Sequence, residues 1–215
     1  MRCISFFVAL FATIFLLHDC SMNNTVRTKG DVDILLWTSE NPNPKLNELR
    51  RPGWIYNLAV VTPDGMATFS GASDKYATES HAIRAAELDS RVRATNYLQS
   101  EIVRLAEELR GALGVSSEIL NPSVISREYI TEYSQAVLSG IKTTKIYTEK
   151  WRSGESGKIY YLAFVLSVIP ADGLEKRAKN TATEFFNKKA AEAGIEQMDL
   201  VNKKLKEFKL QFKNQ

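Results

Sequence analysis

The stretch Lys158 to Ile169 constrains this chain more than any other. Read with the two-residue period of a strand, it places Ile159, Tyr161, Ala163 and Val165 on one face and Leu162, Phe164, Leu166 and Val168 on the other. Both faces are apolar, and a strand of that kind belongs in the middle of a sheet covered on both sides. The rest of the chain must therefore supply flanking strands and two covers. Ile141 to Trp151, rich in Thr, Ile and Tyr, reads as a neighbouring strand. Ser153-Gly154-Glu155-Ser156-Gly157 is the hairpin loop between the two.

Upstream, Trp54, Tyr56, Leu58 and Val60 alternate with Ile55, Asn57, Ala59 and Val61, which predicts a strand with Trp54 in the core. Asp64-Gly65 supplies a turn, and Met66 to Phe69 returns as the second arm of a hairpin. Tyr76 to Leu109 contains neither Gly nor Pro and predicts one long helix. Its first half carries Ala77, Ala82, Ala85, Ala86 and Ala94. Its second half carries Leu98, Ile102, Leu105 and Leu109 on one face. Alanines permit close approach to a sheet, and the leucines fill wider space. Gly111 to Pro122 is a break, and Ser126 to Leu138 predicts a shorter helix with Tyr129, Tyr133 and Val137 one turn apart. After Pro170 the pattern is helical to the end, interrupted at Gly194. There Met198, Val201, Leu205, Phe208 and Phe212 form an apolar stripe among Lys203, Lys204, Lys206, Lys209 and Lys213. That stripe can dock on this domain, on a neighbouring protomer, or on an anionic lipid layer. The expected class is α+β: an antiparallel sheet of β-hairpins packed with a long Ala-rich helix, plus a C-terminal helical extension.

The N-terminus departs from this pattern. After Arg2, Ile4 to Leu17 runs apolar without one charge. Those residues would span only about 21 Å as a helix, whereas a hydrocarbon core needs roughly 20 residues. The run fits a signal-peptide h-region better than a membrane anchor. The only cysteines are Cys3, within the run, and Cys20, just after it. Cleavage before Cys20 would leave a single thiol at the first position, so no intramolecular disulfide is possible. Leu17-His18-Asp19-Cys20 resembles a lipobox, with Leu17 in place and His18 and Asp19 where small residues are usual. Cys20 is therefore the expected lipidation site, with plain secretion as the alternative. Ser21 follows, compatible with sorting to the outer membrane.

Residues 21–51 read as a tether, broken by Asn41-Pro42 and Asn43-Pro44. Within it, Val32, Ile34, Leu35, Leu36 and Trp37 form an apolar island that would be sticky if exposed. The island docks as an extra strand on this domain or on a neighbouring copy. The expected organisation is a signal peptide at 1–20, the tether at 21–51, an α/β domain at 52–170 and a helical extension at 171–215.

A search for chemistry finds little. His81 is the one histidine left after signal removal, and it sits in the long helix as a solvated or capping residue. Catalytic and structural zinc sites need three or four ligands, which cannot be assembled here. No glycine-rich phosphate loop occurs. Glu107-Glu108 and Glu87 with Asp89 lie among Arg84, Arg91, Arg93, Arg104 and Arg110, and Glu87 with Arg91 forms an expected i,i+4 ion pair. The reading is therefore non-enzymatic, with no catalytic, metal or cofactor site. A net charge of +3 and the export signal argue against nucleic acid.

The order of several motifs resembles a known family. Pro52-Gly53-Trp54, Phe69-Ser70-Gly71-Ala72-Ser73, Ala85-Ala86, Asp89-Ser90-Arg91, Trp151 and Tyr160-Tyr161 are similar to the twenty-kilodalton lipoprotein (LPP-twenty) family of bacterial envelope proteins, which includes flagellum-associated lipoproteins. The resemblance spans roughly Pro52 to Pro170. It implies a compact α/β domain, outer-membrane anchoring on the periplasmic side through the terminal cysteine, and assembly into oligomers or rings, with itself or other envelope proteins. It implies no catalytic residues. A different reading of the residues is a periplasmic ligand-binding module in which Tyr129, Tyr133, Tyr147 and Trp151 stack on cell-wall glycan or lipid.

Overall fold

A computed structural model describes residues 32–42, 49–56, 59–114, 121–192, 194–196 and 198–214. The apolar run, Cys3 and Cys20 lie outside these residues. The chain is α+β, as the pattern requires. Its strands are β1 (Ile34–Thr38), β2 (Val60–Val61), β3 (Met66–Ala72), β4 (Lys142–Arg152), β5 (Ile159–Pro170) and the two-residue β6 (Lys213–Asn214). They form one sheet in the order β1-β4-β5-β3-β2-β6, antiparallel except for the β2–β6 pair. The helices are α1 (Glu79–Leu113), α2 (Pro122–Val137), α3 (Ala171–Glu192) and α4 (Met198–Glu207).

The doubly apolar strand is central: β5 pairs with β4 on one side and β3 on the other. On one face, Ala163, Val165, Ser167 and Ile169 are buried. Here α1 lies directly on the sheet. Thr78 caps it by accepting the His81 amide, and Gly114, in the left-handed region, ends it. At 35 residues the helix is about 52 Å long, longer than the sheet it covers. Its two halves therefore meet different partners. Ala82, Ala86, Ser90 and Ala94 recur every fourth residue and are fully buried. Ala82 and Ala86 pack on Ala163 and Val165. Approach is so close that a Cβ at Gly71 would stand 2.1 Å from the Ala86 carbonyl oxygen. Farther along, Leu98, Ile102, Leu105 and Leu109 enter a cluster with α2, α3 and α4, where helices rather than strands set the spacing.

The hairpin before α1 is shorter than the alternation predicts. Trp54 does not lie in a strand: Pro52 to Tyr56 turn into a 3-10 helix over Gly53–Tyr56, with the Ile55 amide bonded to the Pro52 carbonyl. Trp54 is half-buried and Tyr56 is 67% exposed, so neither is core. Pairing begins only at Val60, opposite Thr68, and Gly65 (φ 76°) makes the expected turn. Trp151 does lie in a strand, as expected, but is half-buried.

The apolar island becomes β1, paired with β4 on the chain's own sheet, with a bulge between Leu35 and Trp37. The C-terminal stripe also docks on its own chain. Val201, Leu205 and Phe208 are at most 3% exposed, and Phe212 stacks on Tyr97 of α1 at 4.9 Å. It is not one helix, however. α4 stops at Glu207, and Phe208, Leu210 and Phe212 continue in extended chain. Arg104 donates to the Lys209 carbonyl and Glu101 accepts the Gln211 amide, and these bonds replace the helical ones.

Candidate functional site

The most concentrated side-chain chemistry sits on the sheet face opposite α1 and at the sheet end where β1 begins. Cross-strand register sets it up: Tyr147, Glu149 and Trp151 of β4 lie opposite Phe164, Leu162 and Tyr160 of β5, and Leu35 and Thr38 of β1 lie opposite Trp151 and Glu149. Among the described residues no α-helix covers this face. The segment before β2 crosses it instead, and the 3-10 helix touches β3 and β5.

Glu149 is wholly buried in this layer. Its carboxylate accepts both Arg51 Nε at 2.7 Å and Arg51 Nη2 at 2.9 Å, and Trp151 Nε1 donates to it at 3.0 Å. The fork geometry satisfies both oxygens, as burial of a charge demands. The pair pushes the Arg51 guanidinium further up in pKa. Arg51 also lies 4.8 Å over the Phe164 ring.

The second cluster gathers on Asp33. One carboxylate oxygen accepts Lys75 Nζ at 2.9 Å and the Tyr160 hydroxyl at 2.7 Å, and the other accepts the Gly154 amide at 3.0 Å. Lys75 above all, then Tyr160 and Gly154, hold the Asp33 pKa down at about 2. Lys75 is raised in turn by Asp33. Tyr160 is raised by burial first and by Asp33 second. Lys75 sits 4.4 Å over the Tyr160 ring, which stacks parallel to Trp151 at 6.4 Å. Aspartate, tyrosine and lysine here bind one another, joining the start of β1 to the β4–β5 hairpin.

The expected site residues fall as follows. Cys20, the expected lipidation site, lies outside the described residues. His81 is exposed at the start of α1, its ring nitrogen 3.0 Å from the capping Thr78 hydroxyl. Among the described ion pairs of α1, Arg93 binds Asp89 and Arg104 binds Glu101 and Glu108; the expected Glu87–Arg91 pair is not one of them. Of the four aromatics considered for stacking on a ligand, Tyr129 and Tyr147 are fully buried, and Tyr133 packs on Tyr129 and Phe185. Burial pushes Tyr129 and Tyr133 up to about 12.

A cavity of about 370 Å³ lies between α1 and the end of α2, lined by Arg91, Thr95, Ser134, Gln135 and Ser139 among others. Among the described residues no group of three His, Cys, Asp or Glu side chains could hold a metal, and no helix is long and apolar enough to cross a membrane.

Sequence reading did not find the Arg51–Glu149 or Asp33 clusters. The signal for Glu149 was present: a carboxylate between Tyr147 and Trp151 at the strand period shares their face of the strand. Its partner, 98 residues upstream, carried no local signal. Compared with known proteins, the chain matches no family model, no curated protein and no solved structure.

Proposed function

We propose that the chain is a non-enzymatic bacterial envelope lipoprotein, held through Cys20 at the periplasmic side of the outer membrane, with a structural or assembly role in an oligomer or ring such as those of the flagellar motor. The observation that carries this reading is the coupling of anchor to fold. Cys20 follows the h-region-like run, and fourteen residues later the chain becomes β1, built into the sheet and fastened by Asp33. A tether joined to a sheet edge passes the position of its anchor directly to the domain.

Kinship with the twenty-kilodalton lipoprotein family is part of the proposal, and the meeting of its motif residues in space supports it. Gly71 lies under Ala86 and Ser90, Asp89 accepts the Ala72 amide at 2.8 Å, and Trp151 stacks on Tyr160. The non-enzymatic reading draws support from the carboxylates of the two clusters, which are committed to Arg51, Trp151, Lys75, Tyr160 and Gly154. The alternative, a ligand-binding module, finds Tyr129 and Tyr147 in the core rather than at a surface.

Replacing Cys20 with Ala tests the anchor. The expected result is movement from the membrane fraction to the soluble periplasm, with loss of labelled palmitate incorporation. Unchanged fractionation counts against the lipoprotein reading. Size-exclusion chromatography with light scattering tests assembly, and a stable monomer counts against it.

A further inference from the structure

The helix layer does not reach the end of the sheet from which the tether departs. α1 begins over Thr148, whose hydroxyl donates to Glu79 at 2.8 Å, and over Ala163. Two cross-strand rows lie beyond it on the same face. The inner row is Trp37, Lys150 and Tyr161, and the outermost is Ile34, Arg152 and Ile159. In that last row Ile34 is 52% and Ile159 42% exposed, and Arg152 is exposed between them. Val32, just before β1, is 43% exposed. Isoleucines are among the residues most often buried, so three branched aliphatic side chains open to solvent around one arginine form a patch that calls for a cover.

Charge and chain geometry select that cover. No carboxylate stands in either row, and Lys158 is exposed next to Ile159. Nearby, Asp33 is neutralised by Lys75, while Asp74 and Glu155 are exposed outside the rows. A second copy set on this patch about a two-fold axis would bring Arg152 and Lys150 toward their own counterparts, an unfavourable like-charge meeting. An anionic surface with apolar depth suits it better. The twelve residues from Cys20 to Val32 reach at most about 40 Å when fully extended, so an acylated Cys20 keeps this end of the sheet close to the bilayer.

We infer that the sheet end formed by Val32, Ile34, Arg152, Lys158 and Ile159 rests on an anionic lipid headgroup layer. The aliphatic side chains enter the headgroup boundary and the cations meet lipid phosphates. This inference rests on the proposed membrane anchoring, but its test does not depend on acylation.

The test uses the full-length chain carrying Cys20→Ala, partitioned onto phosphatidylcholine vesicles with and without phosphatidylglycerol. The charge-free run Ile4–Leu17 contributes alike to both vesicle types, so the anionic-to-neutral ratio isolates the cations. Arg152→Gln and Lys158→Gln are each expected to lower that ratio roughly fivefold. Ile34→Ser with Ile159→Ser is expected to weaken binding to both vesicle types by about tenfold. Lys206→Gln with Lys209→Gln, at the C-terminal end, should leave the ratio unchanged. A ratio insensitive to Arg152 and Lys158 overturns the inference. So does an oligomer, seen by light scattering, that the isoleucine substitutions dissociate without affecting vesicle binding, because the cover is then a second copy. A chain that takes up no palmitate yet shows the expected ratios loses the anchor and keeps the surface.

Discussion

The two faces of the sheet are covered by different means. On one, a regular helix lies flat, and the contact is governed by size: Ala82, Ala86, Ser90 and Ala94 above, Gly71, Ala163 and Val165 below. The fully buried polar link in that layer is a neutral one, Ser90 to Ser167 at 2.8 Å, and Asp89 and Glu79 add part-buried bonds to the Ala72 amide and the Thr148 hydroxyl. On the other face an irregular strap crosses β3 and β5, and the contact is governed by charge, through Arg51 on Glu149 and over Phe164. A helix satisfies its own backbone and offers a continuous apolar stripe. A strap brings fewer apolar groups, so specific anchors must hold it in place. Substitutions on the two faces should therefore fail for different reasons.

The largest effect is expected where size rules. Gly71→Val places a branched side chain against the backbone of α1, and neither the Ala86 carbonyl nor the Ser90 amide can move without lifting the helix. A loss of at least about 4 kcal/mol is expected, read by chemical denaturation. A folded Gly71→Val protein of near-normal stability would show that the helix can ride higher, and would break the contrast at its strongest point.

On the strap face the expected signature is asymmetry. Glu149 has no exposed side-chain surface, whereas Arg51 retains 30%. Arg51→Gln strands a buried carboxylate and should cost about 3–5 kcal/mol. Glu149→Gln leaves Arg51 free to turn toward water, and Trp151 keeps an oxygen to bond. Its cost should be smaller, about 2 kcal/mol. Equal losses from the two substitutions would mean that the strap is held by packing after all.

Ser90→Ala probes the helix face at its buried hydroxyl pair. It leaves the Ser167 hydroxyl buried without its partner, for a loss of about 1–3 kcal/mol. The double change with Ser167→Ala should recover part of that loss. If the two single losses simply add, the hydroxyls are not coupled.

The same contrast explains what could be read from the sequence. The helix face was legible because its rules are local. Alternation identified β5 as doubly buried, and the small residues in the first half of α1 pointed that helix at a sheet. The strap face was not, because Arg51 and Glu149 are 98 positions apart and nothing near Arg51 distinguishes it from Arg50. Trp54 was misplaced for a related reason: its alternating neighbours fit a strand, but Pro52-Gly53 favours a turn, and the turn prevailed. The C-terminal stripe failed through an ambiguity of period. A spacing of four, as from Phe208 to Phe212, satisfies both a helix and a strand, and only Leu210 separates them. It is 7% exposed, buried two residues after Phe208, where a helix would have turned it away. For the candidate site, Cys20 and its apolar run were legible as sequence, whereas the Asp33 cluster depends on three partners drawn from separate segments.

The smallest effect separates the strap side from the helix side by pH. Asp33 fixes the start of β1 to Lys75, Tyr160 and Gly154, and these bonds hold its pKa at about 2 rather than the usual 3.8. A carboxyl depressed by folding contributes stability that is fully present above its unfolded pKa and is lost as pH falls through the folded value. The contribution should therefore be complete above pH 4 and fade between about 4 and 2. Asp33→Asn removes the titrating group, so the slope of stability against pH in that window should flatten, with only a modest change near neutrality because Lys75 is 61% exposed and screened. Ser90→Ala, on the helix face, should lower stability by the same amount at every pH in the window. Thermal midpoints measured from pH 5 to pH 2 would check both. An unaltered slope in Asp33→Asn would mean that other carboxylates dominate acid unfolding and that the start of β1 is held by its strand pairing alone.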